Sequence, residues 1–88
     1  MINPRVEKVK PLKDFQLLIS FTNGEEKLFD IKPYLDKGVF KALKDINLFN
    51  QAHVAWGTVV WNEDLDMSPD TLYLDSKTLL EKGLISEY

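Results

Sequence analysis

The 88 residues contain no cysteine and a single histidine, His53. The first absence excludes a disulfide framework, a thiolate metal site and a cysteine nucleophile. The second leaves no histidine-based metal cluster and no serine triad that does not borrow His53. Glycine is scarce and scattered, at positions 24, 38, 57 and 83, so neither a phosphate-cradling loop nor a dinucleotide fingerprint can be built. No apolar run approaches the ~18 residues of a membrane span. The opening MINPRVEKVKPL lacks the apolar stretch of a secretory leader. Positive charge is also short, with 11 Lys and Arg against 14 Asp and Glu and a net charge of −3. That balance argues against a long electrostatic footprint on nucleic acid. Together these absences predict a cytoplasmic chain that is neither secreted nor membrane-inserted and that folds without a cofactor.

What is present is a globular composition, 44% hydrophobic and 28% charged, unlike the low-hydrophobicity, high-charge signature of disorder. The length suits one domain, residues 1–88, burying about two-thirds of its unfolded surface. Such a chain has little room for a deep enclosed pocket.

Residues 15–21, FQLLISF, place Phe15, Leu17, Ile19 and Phe21 on one face of an extended strand. Asn23-Gly24 follows, a dipeptide suited to the positive φ values of a tight hairpin. Residues 25–31 should therefore return antiparallel with Phe29 and Ile31 facing the same core. A first strand near residues 5–12 completes a three-stranded meander, and the three-residue spacing of Val6 and Val9 predicts a bulge or irregular pairing in it. Past Pro33, a turn over Lys32 to Asp36 is separated by Gly38 from a main helix carrying Val39, Phe40 and Leu43, with Ile46, Leu48 and Phe49 extending its apolar surface. Residues 53–55 and 58–61 read as a second hairpin around Trp56-Gly57, with Val59 and Trp61 sharing a face. Leu79 and Leu80 suggest a C-terminal helix over Ser76 to Lys82, closed by Gly83. The expected fold is α+β: a small two-layer domain whose mainly antiparallel sheet, a meander and a second hairpin, packs on a helix.

The chemistry-bearing residues concentrate in WNEDLDMSPDTLY, residues 61–73. Ser68 is a good N-cap, Pro69 suits the first helical position, and Asp70 suits the positive end of the helix dipole. Leu72 and Tyr73 then anchor the corner to the core near Trp61. A sharper reading sees Asp64, Asp66, Ser68 and Asp70 at alternating positions, with Asp75 beyond, as an echo of a calcium loop. Against it, Pro69 replaces the sharp-turn glycine and Leu65 and Met67 intervene. Paired carboxylates can also serve acid and base chemistry, which would make the chain a small metal-dependent or acid/base hydrolase using these acids, and His53 with them. Arg5, Lys8, Lys10 and Lys13 form the one concentrated basic segment, and lysines on an edge strand guard it against aggregation; a weak phosphate patch, with an accessory nucleic-acid-binding role, is the alternative. Trp56 at a hairpin tip would be the best single anchor for a protein interface.

The order of FTNGEEKLFDIKPYL, GVFKALKDINLFNQAHV and VVWNEDLDMSPDTLY resembles the small bacterial family called domain of unknown function 2442. The similarity covers about residues 5–74, leaving 75–88 as a short extension, and its most specific part is the spacing of Trp61, Asp66, Pro69, Leu72 and Tyr73. The family often has glycine where this chain has Asp64, and aspartate tolerates left-handed backbone better than most residues. The resemblance implies a compact α+β fold with no established activity. Some relatives continue into a helix-turn-helix domain, while others stand alone beside another small protein, similar to toxin and antitoxin pairs. Because the chain ends at Tyr88, we expect the stand-alone type. The expectation is a non-enzymatic module that binds a protein partner or itself through Trp56, Trp61, Asp64, Asp66, Pro69, Asp70, Leu72 and Tyr73, with no metal, no cofactor and no membrane, and with nucleic acid disfavoured.

Overall fold

In the computed structural model, residues 3–62 and 65–78 are described. Strands β1 (Val6–Leu12), β2 (Gln16–Phe21) and β3 (Glu26–Asp30) form the expected antiparallel meander. Alternation drives it: Leu17, Ile19 and Phe21 are fully buried, as is Phe29 opposite Leu17. Side chains of this kind each contribute about 1.5–3 kcal/mol when removed from water. The expected irregularity is present as a register shift, because Val6 pairs with Phe21 but Lys8 pairs with Ser20. One extra residue on β1 lets Val6 and Val9 meet the same core.

The turn after β2 corrects one detail. Of Asn23 and Gly24, only the glycine is left-handed, at φ +91°. Gly24 N–H donates to the Phe21 carbonyl at 3.0 Å, and Phe21 N–H donates to that of Glu25 at 2.8 Å. Asn23 holds the turn through its side chain, whose oxygen accepts from Glu25 N–H at 3.0 Å.

The second hairpin pairs β4 (His53–Ala55) with β5 (Thr58–Asn62), and a third strand, β6 (Leu65–Met67), joins β5 from the other side. Val59 and Trp61 do share the inner face. Strand β6 was not foreseen: three residues are too few for periodicity to register, although Leu65 and Met67 are buried around exposed Asp66. The two sheets meet where Val6 N–H donates to the Gly57 carbonyl at 2.9 Å.

Helical structure is shorter than expected. Gly38–Lys44 winds as a 3₁₀-helix, and only Ile46–Phe49, α1, is α-helical after Asp45 interrupts in an extended conformation. Asp45 caps α1 by accepting from Asn47 N–H at 3.0 Å. In the 3₁₀ turn Leu43 is buried while Val39 is 64% exposed, so this segment lays one side chain into the core rather than a continuous stripe. Helix α2 (Pro69–Leu74) follows β6. The helix expected from Ser76 is overturned at its start: Lys77–Thr78 forms β7, antiparallel to β3 with Leu28 opposite Lys77. The rest of that expected helix, and Asp64, lie outside the described residues. The architecture is thus α+β, with one sheet ordered β1-β2-β3-β7 and another ordered β4-β5-β6.

Candidate interaction surface

The acidic corner is built as a helix start. Ser68 accepts from Asp70 N–H at 3.2 Å, Pro69 takes the first helical position, and Asp70 stands in the first turn. An N-cap of this kind contributes about 1 kcal/mol. Leu72 is fully buried in the cluster that holds Trp61, as expected. Trp61 is 1% exposed, and no described residue accepts from its Nε1; it belongs to the core and is not available as a surface anchor.

Tyr73 packs against the rim of the same core. Its ring stands edge-on to Phe21 at 5.1 Å, and Lys27 Nζ lies 3.8 Å from its centre. Lys27 is 8% exposed and donates to the Tyr73 carbonyl at 2.7 Å, joined by Ser76 Oγ at 3.1 Å. A cation there satisfies a carbonyl that the helix end leaves open and complements the dipole. The Tyr73 hydroxyl donates to Glu25 Oε1, which also accepts from Asn23 Nδ2 at 2.6 Å. The tyrosine bond, then that of Asn23, holds the Glu25 carboxyl below its ordinary range, with the charge of Lys27 adding; the same Glu25 bond pushes Tyr73 up. Nearby, Tyr34 donates to Asp75 Oδ2 at 2.5 Å, which pushes its hydroxyl up to about 12.

The acids of the corner are spent separately. Asp66 is exposed on the outer face of β6, opposite Val60. Asp70 accepts from Asn3 Nδ2 at 3.3 Å, and Asp75 is held by Tyr34. Among the described residues, no group of three or more acids and histidines converges as a metal site would require. The basic segment is interrupted as well: Lys8 pairs with Ser20, which hydrogen-bonds Glu26 at 3.3 Å.

Trp56 stands apart from the corner. With Gly57 it makes the two-residue turn between β4 and β5, both residues left-handed at φ 53° and 75°, the geometry whose twist matches a hairpin. The turn is braced from β1: Arg5 donates to the Trp56 carbonyl at 3.4 Å, beside the Val6 bond to Gly57. The indole is 82% exposed. It borders a shallow groove of about 280 Å³ lined with His53, Ala55, Val60 and Asn62, the outer face of the second sheet.

Among known families, the one described as protein of unknown function (DUF2442) matches residues 6–78. This chain belongs to the DUF2442 family. Its match runs from β1 through β7, so for this DUF2442 protein the family unit takes in both sheets and the Trp56 turn. Neither the curated proteins nor the solved structures contain a match. None of the described helices is long and apolar enough to cross a membrane.

The residues singled out from sequence therefore divide. Trp61, Pro69, Leu72 and Tyr73 hold the corner in place, Asp66 and Asp70 reach solvent, and Trp56 is displayed. Sequence reasoning passed over Lys27, Glu25 and Val60. Lys27 carried a usable signal, since it alternates with Phe29 on the inward side of a strand.

Proposed function

We propose that this chain is a non-enzymatic protein-interaction module whose recognition face is the outer side of β4-β5-β6, with Trp56 as its anchor. One observation carries the reading: a tryptophan 82% exposed at a left-handed position in a braced turn. Backbone preference there favours asparagine or glycine, and a side chain with a Cβ costs about 1 kcal/mol at such a φ. Burial does not compensate, because the indole contributes almost nothing to the core. Tryptophan is enriched among the residues that dominate protein interfaces, and a preformed turn lowers the ordering cost of binding. The arrangement suits one member of a two-protein regulatory pair.

The test is affinity capture from the cells that make the protein, using tagged wild type and Trp56→Ala side by side. A stoichiometric protein, whether another chain or an untagged copy of this one, should be retained by wild type and lost by the variant. Identical retention by the two would contradict the proposal.

A further inference from the structure

The face carrying Trp56 has a property that points to its occupant. In register across the second sheet stand His53 on β4, Val60 on β5 and Asp66 on β6. Directly opposite residues of an antiparallel sheet project to the same side. The row therefore places a base and an acid on either flank of Val60; His53 and Asp66 are both exposed, while Val60, 4% exposed, lies beneath them at the floor of the groove. His53 Nδ1 lies 2.9 Å from the Gln51 carbonyl. A carbonyl only accepts, so Nδ1 carries the proton of that bond, and the imidazolium form of His53 offers Nε2–H to a carboxylate.

We infer that a second copy of this chain docks face to face on β4-β5-β6, related by a two-fold axis that runs parallel to β5 between the copies, over Val60. This rests on the proposed role of the Trp56 face and names its partner. Rotation about that axis carries β4 of one copy over β6 of the other, so His53 meets Asp66 twice and the two Val60 positions lie over one another at the centre. The same rotation lays each Trp56 over the other copy's β5–β6 end, where Ser68 and Pro69 begin α2. A two-fold contact must be self-complementary, and opposite charges placed on either side of its centre satisfy that requirement. A rotation that laid β4 over β4 would instead face histidine with histidine and aspartate with aspartate.

Size sets the strength. Strands β4 and β6 have three residues each and β5 has five, so at about 4.8 Å between strands and ~3.3 Å per residue the face presents roughly 14 Å across and about 10–17 Å along the strands. Even with two indoles added, this falls below the ~1,200 Å² of standard specific interfaces, in the range of weak, transient contacts, so the dimer is weak.

Sedimentation equilibrium of the purified full chain, from about 10 µM to about 1 mM, reads the mass directly. Wild type should move from 10.2 kDa toward twice that mass. Trp56→Ala should raise the dissociation constant by roughly tenfold or more. His53→Asp, which sets acid against acid at both of the 53–66 contacts, should weaken the dimer, and His53→Asp combined with Asp66→His should restore it. Circular dichroism confirms that each variant keeps its fold. A wild type that stays at 10.2 kDa throughout overturns the inference, as does a dimer in which the single and paired exchanges behave alike. If the chain is monomeric yet Trp56-dependent capture of a different protein persists, the second-copy inference fails while the interaction reading stands. If Trp56→Ala changes neither experiment, both fall.

Discussion

At Tyr73 the ring, the hydroxyl and the carbonyl each hold a different neighbour: Phe21, Glu25 and Lys27. A residue placed by sequence in an acidic corner thus ties α2 to the β2–β3 hairpin. The Glu25 bond has a pH consequence with a definite sign. Its folded pKa is depressed below the ordinary 4.5, so the stabilisation is present above that value and is lost as pH falls through the depressed one. Because Glu25 is only half-buried, solvent screening keeps the effect modest. Thermal midpoints measured from pH 5 down to about pH 3 should fall in the wild type and fall less steeply in Tyr73→Phe, which lacks the hydroxyl. Parallel slopes would contradict the assignment. None of this was legible beforehand, since the sequence separation between Glu25 and Tyr73 hides the contact; the helix-start chemistry of Ser68, Pro69 and Asp70 was legible, because capping is decided by adjacent residues.

Among the elements, the turn at Trp56-Gly57 is the one whose backbone matters to the proposed role. A Cβ at Gly57 would stand 2.8 Å from Arg5 Cδ and 3.0 Å from its guanidinium, at a φ of +75°. Gly24 is likewise left-handed, but a Cβ there meets nothing. Gly57→Ala should therefore cost more stability in chemical denaturation than Gly24→Ala: each bears left-handed strain of about 1–2 kcal/mol, and the first must also displace Arg5 from the Trp56 carbonyl. Equal losses would show that Arg5 does not brace the turn. The elements read most accurately from sequence were those with strong local signals, such as the alternation of Leu17, Ile19 and Phe21 and the strand-favouring residues 58–61 that follow the Trp56-Gly57 turn. Those misread lacked one. The apolar spacing of Val39, Phe40 and Leu43 is compatible with either helix type, and pairing with β3 sets Lys77 and Thr78 as a strand in spite of the helical spacing that follows.

For the whole molecule, the two sheets share a core while the outer side of the second keeps a tryptophan in water. The family match extends over that arrangement without naming an activity, so the surface itself has to carry the functional argument. Trp61 and Trp56 make an internal contrast: one is 1% exposed in the core and the other 82% exposed at the tip. Labelling both with a fluorinated tryptophan gives one fluorine resonance for each. The account predicts that raising the protein concentration, or adding extract of the cells that make it, shifts or broadens the Trp56 resonance while that of Trp61 stays fixed. A Trp56 resonance unchanged under both conditions would contradict it.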